Sequence, residues 1–179
     1  MRPEGFICLM RSLIIGIPLL ALISVMQSTL LHSVRFLDGG FDIALVVVLA
    51  WNLVRREADA PVWAFIAGLF ADVLSGGAMG AATFALTIIS LVISFTEGRF
   101  YQANLPVALL VSLVGTIFYH LLYLLTLSIR GQPIQWADAI TLGVLPSALL
   151  NLILIVPIYR IALWAVKLLK PREIGLLEE

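Results

Sequence analysis

The chain has 179 residues, of which 61% are hydrophobic and only 12% are charged. Its mean hydropathy of +1.08 lies far above that of soluble globular domains, which this composition excludes. The 11 Lys and Arg residues balance the 11 Asp and Glu residues, so the net charge gives no reason to expect nucleic acid as a partner. We interpret the chain as an all-α integral membrane protein.

Six apolar runs fill the chain and leave no room for a soluble domain. They cover residues 12–31, 41–54, 61–74, 81–95, 106–129 and 140–159. The first run has about the 20 residues that a spanning helix needs. Because Gln27-Ser28-Thr29 does not resemble a signal-peptide cleavage site, we expect this run to stay attached as an anchor. The sequence thus predicts a single polytopic domain, residues 1–179, with six transmembrane helices.

Two of the runs, 41–54 and 61–74, are short for a membrane. At about 1.5 Å per residue each would reach roughly 21 Å, against a hydrocarbon core of about 30 Å. Either their ends extend into the flanking residues or the bilayer thins around them. The stretch 61–95 is too long for one span, and Ser75-Gly76-Gly77 divides it, which predicts a helical hairpin.

The basic residues predict the orientation. With six spans, one side of the membrane collects nine of them and the other side only Arg35 and Arg130. This asymmetry places both termini in the cytoplasm. The residues on the richer side are Arg2, Arg11, Arg55, Arg56, Arg99, Arg160, Lys167, Lys170 and Arg172. Residues 160–170 are interpreted as a basic helix end at the cytoplasmic interface, whose charged side chains snorkel toward the headgroups.

Small residues recur every fourth position in the third run, at Ala64, Gly68, Gly76 and Gly80, with Asp72 in the same series. On a helix the first members of this series share one face, and small residues let a second helix approach closely. The face either packs within the chain or binds another protein.

Asp72 lies roughly 17 Å along a helix that starts near the cytoplasmic face, which places it in the outer half of the membrane. An ionised carboxylate facing lipid there would cost at least about 2.5 kcal/mol. Asp72 should therefore face the protein interior or a cavity, or be protonated. The simplest explanation is that its carboxylate accepts backbone N–H groups from the turn that follows.

Other polar residues within the apolar runs have structural explanations. Asp42 opens the second run, where the helix dipole favours an acid. Gln27, with Ser28 and Thr29, ends the first run, and His120 lies between Tyr119 and Tyr123 in the fifth; interhelical hydrogen bonds account for both sets.

Neither a metal site nor an enzyme is predicted. With two histidines and no metal-ligand spacing, a metal at His120 and Asp72 is not expected, and no cofactor is predicted. No G-x-S-x-G, no H-E-x-x-H and no pair of acids within one run is present, so we predict no catalytic residues.

The stretch Gly68-Leu69-x-x-Asp72-x-x-x-Gly76-x-x-x-Gly80 resembles the G-L-x-x-D-x-x-x-G-x-x-x-G motif of the bacterial rod shape-determining protein family MreD. Gln27-Ser28-Thr29-Leu30, the acid at Asp42, the length and the number of spans add to the resemblance. The chain departs from the family where Phe41 precedes Asp42, because members often have Pro-Asp there.

The resemblance implies a non-enzymatic scaffold of the elongasome in the bacterial cytoplasmic (inner) membrane, with a role in cell shape and lateral peptidoglycan synthesis. Its implied partners are MreC, bound directly, and MreB, RodA and PBP2 in the wider complex. Gly68, Leu69, Asp72, Gly76 and Gly80 would form the partner-binding or structural motif, with Gln27, Asp42 and His120 as secondary candidates.

The family fold is also similar to the membrane substrate-binding subunit of ECF vitamin transporters, with six helices around a pocket. This likeness implies an alternative function, a small-molecule-binding or transport subunit. In that alternative Gln27, Asp72, His120 and Tyr123 would supply polar groups to the pocket.

Overall fold

The structure, a computed structural model, describes residues 3–29, 39–54, 60–75, 79–96 and 104–169, and the regular elements in these ranges are helices. Five of them are α1 (Pro3–Thr29), α2 (Ile43–Val54), α3 (Ala60–Ser75), α4 (Ala81–Thr96) and α5 (Leu105–Ile129). The sixth, α6, covers residues 136–169 and consists of Trp136–Asp138, a π-helical segment Ala139–Val144 and Leu145–Leu169. These six helices follow the six predicted apolar runs in order.

Helix α2 lies at the centre of the bundle. It contacts each of the other five helices, which follow one another around it in the order α1, α3, α4, α5, α6. It supplies Leu45 and Leu49 to a core shared with α1, α3 and α4, and Val46 and Ala50 to a second core shared with α5 and α6. Since lipid is as apolar as these side chains, packing and interhelical hydrogen bonds must hold the bundle together.

The central position of α2 explains how so short a helix is accommodated. Its 12 residues extend about 18 Å, well short of a bilayer core of about 30 Å. The helix begins at Ile43, inside the predicted run 41–54. Its N-terminal end therefore does not extend into the flanking residues, which was one of the two explanations offered for its short length. Ala44, Leu45 and Val46 of its first turn are buried within the bundle.

The outer faces of the bundle are apolar. Helices Leu105–Ile129 and Trp136–Val166 are long and apolar enough to cross a membrane, and only 22% and 33% of their most apolar windows are buried inside the protein. The core helix of a soluble protein would be mostly buried, so these two helices indicate a helical membrane protein. The shorter apolar helices are Gly16–Thr29, Ile43–Val54, Ala60–Ser75 and Ala81–Phe95.

The predicted hairpin is confirmed. Helix α3 ends at Ser75, helix α4 begins at Ala81, and the two helices pack against each other along their length. Gly76 and Gly77, predicted to form its turn, lie outside the described residues.

The last helix, α6, continues without a break past Tyr159 to Leu169, so the predicted last span and the basic segment that follows it form one helix.

Candidate functional site

Asp72 caps the start of α4. Its side chain is buried, with 4% of the residue exposed. The Oδ2 atom accepts hydrogen bonds from the backbone N–H groups of Gly80 at 3.0 Å and Thr83 at 2.9 Å, and Oδ1 accepts one from that of Ala82 at 2.9 Å. The first N–H groups of a helix have no partner within it, and a carboxylate beside them is also favoured by the helix dipole. The carboxylate therefore accepts backbone hydrogen bonds, as the capping interpretation predicts, but the donors lie at the start of α4. In the predicted Ser75-Gly76-Gly77 turn, Gly76 and Gly77 lie outside the described residues.

Gly68 provides the close approach that brings these groups together. A Cβ atom at this position would lie 2.4 Å from the Cα and 2.8 Å from the backbone N of Thr83, closer than real Cβ contacts allow. Ala64, Gly68 and Asp72 are all buried, so the predicted stripe forms one face of α3. That face packs against α4 of the same chain.

The remaining members of the motif are placed differently. Leu69 is half exposed on the outside of α3. Gly80 ends the hairpin turn with a φ of +92°, a conformation that glycine adopts without strain. Gly76 lies outside the described residues. The motif therefore has members that build the hairpin, Gly68, Asp72 and Gly80, and one, Leu69, that faces away from it.

The start of α2 is held by side chains from α1 and α6. The backbone N–H of Asp42 donates to Oδ1 of Asn151 at 3.0 Å, and Nδ2 of Asn151 approaches Oδ2 of Asp42 at 3.3 Å. The backbone N–H of Ala44 donates to Oε1 of Gln27 at 3.0 Å, and that of Gly40 to Oγ of Ser147 at 3.1 Å. These bonds supply the partners that the first turn of a buried helix lacks.

His120 adds α5 to the same cluster. Its Nδ1 atom lies 3.0 Å from the carbonyl oxygen of Thr116, and its Nε2 atom lies 3.4 Å from Oδ2 of Asp42. A carbonyl oxygen can only accept, so Nδ1 carries a proton. Nε2 and the carboxylate of Asp42 then face each other. Either Nε2 carries a proton and donates it to the carboxylate, or a separate donor must serve both atoms. In this arrangement His120 is paired with Asp42, not with Asp72.

The cluster borders a cavity of about 390 Å³. The cavity lies between the C-terminal part of α1, the start of α2, the α3–α4 hairpin and α5. Its polar wall consists of Ser24, Gln27, Ser28, Asp42, Ser75, Tyr119, His120 and Tyr123. Three residues predicted separately, Gln27, Asp42 and His120, are thus brought together, and Tyr123 joins them, whereas Asp72 is not among the lining residues.

Sequence reasoning missed the side chain that connects this cluster. Asn151 is fully buried, and its Nδ2 atom also lies 3.4 Å from Oγ1 of Thr116. Asn52 is likewise buried and accepts a hydrogen bond from Oγ of Ser90 at 2.9 Å. An amide within an apolar run was the available signal, because a polar group in hydrocarbon is costly unless it has a partner.

The described residues hold no group of three or more His, Cys, Asp and Glu side chains that would bind a metal ion. What the site offers instead is an acid, an imidazole and several hydroxyl and amide groups around an open volume. Such a set binds polar groups through hydrogen bonds and charge.

A family model described as rod shape-determining protein MreD matches residues 9–171 of the chain. No curated protein and no solved structure matches it.

Proposed function

Since the chain belongs to the MreD family of rod shape-determining proteins, we propose that it acts as a non-enzymatic scaffold of the elongasome. In this role it binds MreC directly and supports lateral peptidoglycan synthesis together with MreB, RodA and PBP2. The observation that carries the proposal is the family match, which extends over residues 9–171 and so includes all six helices except residues 3–8 of α1.

We further propose a single multi-pass domain in the bacterial inner membrane, with six spans and both termini in the cytoplasm. Six helices in the predicted order and the unequal distribution of basic residues support this arrangement. It places the α3–α4 turn, the start of α2 and the cavity on the periplasmic side. The cavity between α1, α2, the α3–α4 hairpin and α5 supports the likeness to the ECF substrate-binding subunit.

The outer face of α3 is the proposed contact for MreC. Gly68 and Asp72 are buried in the hairpin, so among the members of the motif that the structure describes on α3, Leu69 is the one that a partner helix can reach. Phe65 and Val73 lie one turn on either side of it and are also at least half exposed. Apolar side chains in register on one helix face fit a single-span partner, which must be bound within lipid by packing.

Co-purification from native membranes in nanodiscs tests this proposal. Leu69→Trp keeps the surface apolar but alters its shape, and should reduce the recovery of MreC. Leu110→Trp on α5 is the matched control, since Leu110 is similarly exposed. Recovery of MreC that is equal for both variants would reject the outer face of α3 as the contact. Failure of the unaltered protein to recover MreC would reject the scaffold function itself.

A second candidate function, a small-molecule-binding or transport subunit, is favoured by the cavity. A volume of about 390 Å³ with a polar wall is in the range of ligand sites. Mass spectrometry of the purified protein should find a small molecule at stoichiometric level if this function is correct. Because Asp72 does not line the cavity, Asp42→Asn is the variant that should release the molecule, and absence of any bound molecule would count against this function.

A further inference from the structure

Asp42 gives the cavity a negative wall. It is the single acid among the described lining residues, and no Lys or Arg occurs among them. The side chains of Asp42 and His120 are 20% and 19% exposed, so a ligand in the cavity can reach both. The charge of the described lining therefore favours a cation over an anion.

Ser24 presents an unused hydroxyl at the same cavity. The residue is only 4% exposed, and its Oγ atom has no hydrogen-bond partner within the part of the chain that the structure describes. Ser28 and Thr29, on the same helix, each donate to the carbonyl oxygen of Val25, at 3.1 and 2.7 Å. Such local bonds are the ordinary arrangement for a hydroxyl in an apolar helix. The Ser24 hydroxyl lacks such a bond.

The hydrogen bond of His120 to Thr116 determines what its other nitrogen can do. With the proton on Nδ1, Nε2 is the ring nitrogen that faces Oδ2 of Asp42, 3.4 Å away. In the neutral form of His120, Nε2 and Oδ2 of Asp42 are both acceptors, and one cationic donor that contacts both would match them. An ammonium group carries three N–H donors, so it can serve Asp42, His120 and a hydroxyl oxygen together.

Aromatic rings complete the arrangement. Tyr119 and Tyr123 both line the cavity, and their ring centroids are 6.3 Å apart. The faces of aromatic rings attract cations, and ammonium ligands are commonly bound among them. An acyl chain would leave the carboxylate and the Ser24 hydroxyl without partners, so the polar wall argues against lipid tails as the occupant.

We propose that this cavity binds a primary ammonium group, held by Asp42 and His120 with Ser24 as a further acceptor. The inference does not depend on the scaffold role. It rests on the second candidate function, the small-molecule-binding or transport subunit, and it supplies the class of ligand for that function. Two sources carry this group: a free amine, and the headgroup of an aminophospholipid that enters from the membrane.

Binding of ethanolamine to the purified full-length protein tests the proposal. The protein is placed in nanodiscs of phosphatidylglycerol, which has no amine, and saturation-transfer NMR compares ethanolamine with ethylene glycol, a neutral molecule of the same size. We expect saturable binding of ethanolamine alone. Asp42→Asn should weaken it about tenfold or more, since a charge-assisted bond is lost. Asp138→Asn, an exposed acid outside the cavity, is the matched control and should bind as the unaltered protein does.

Ser24→Ala keeps the proposal testable if Asp42→Asn does not fold. It removes only the unpartnered hydroxyl from a helix and should weaken ethanolamine binding by about threefold to tenfold. Equal binding of ethanolamine and ethylene glycol, no binding of either, or unchanged affinity in a folded Asp42→Asn variant would each overturn the proposal. An anionic or neutral metabolite found in the cavity by mass spectrometry would overturn it while leaving the second candidate function intact.

Nanodiscs of phosphatidylethanolamine distinguish the two sources. If the headgroup is the natural ligand, these nanodiscs should suppress ethanolamine binding, and native mass spectrometry should retain the lipid on the unaltered protein but not on Asp42→Asn. If the ligand is a free amine, ethanolamine should bind equally well in both lipids. Either result supports an ammonium site and identifies where its occupant comes from.

Discussion

Thr83 binds the carboxylate of Asp72 at two points. Both its backbone N–H and its hydroxyl donate to Oδ2, at 2.9 and 2.6 Å. Asp72 lies near the end of α3 and Thr83 in the first turn of α4, so this pair closes the hairpin at its turn. The same residue, Thr83, is the one whose backbone Gly68 approaches most closely. One glycine and one acid, four positions apart, therefore determine how α4 lies on α3.

Asp72→Asn should destabilise the protein by about 2 kcal/mol or more, because an amide offers a single acceptor oxygen and places N–H groups against the N–H donors of α4. Thr83→Val, which removes only the hydroxyl, should cost about 1 kcal/mol. Thermal unfolding in nanodiscs measures both. The exposed Asp138→Asn serves as the control, and an Asp72→Asn variant as stable as this control would show that the cap is not needed.

Gly68→Ala should destabilise the hairpin by about 1–3 kcal/mol, since the added methyl meets the backbone of Thr83 and the helices must separate to accept it. Gly143→Ala is the matched control, because Gly143 is also helical and a Cβ there would meet nothing within 4 Å. The difference in melting temperature between the two variants is the test. Equal melting temperatures would mean that α3 and α4 do not approach as closely as described.

Asn151→Ala should cost about 1–3 kcal/mol, because it leaves the backbone N–H of Asp42 and one side of its carboxylate without their partner. Asn104→Ala is the control, since Asn104 is exposed and makes no side-chain capping bond. A double-mutant cycle with Asp42→Ala should give a coupling energy of about 0.5 kcal/mol or more. Additive effects would show that the two residues do not act as a pair.

The sequence was sufficient for features that depend on neighbouring positions. Run length and hydropathy predicted six helices in order, and a spacing of four placed Ala64, Gly68 and Asp72 on one face. What contacts that face could not be predicted, because a small-residue stripe fits a helix of the same chain as well as one from a partner. The pairing of Asp42 with Asn151 joins residues 109 positions apart, and no local pattern indicates it. The central position of α2 is likewise a property of the assembled bundle.

Labelling of single cysteines from outside the cell should establish the orientation on which the proposed route to the cavity depends. The background is Cys8→Ser, which removes the single cysteine of the chain. Met79 in the hairpin turn and Gln132 after α5 are both exposed, so Met79→Cys and Gln132→Cys should react with a membrane-impermeant maleimide in spheroplasts. Arg56→Cys should react only after the membrane is permeabilised, as the distribution of basic residues predicts.

The reverse pattern would place both termini in the periplasm and would open the cavity at Asp42 to the cytoplasm. A ligand would then come from metabolism within the cell, and the outer face of α3 would meet its partner in the opposite orientation. With the predicted pattern, the α3–α4 turn and the start of α2 lie on the periplasmic side. An amine could then reach Asp42 only as a free amine from the periplasm or as a lipid headgroup from the outer leaflet. The comparison of nanodiscs of phosphatidylglycerol and of phosphatidylethanolamine distinguishes these two sources.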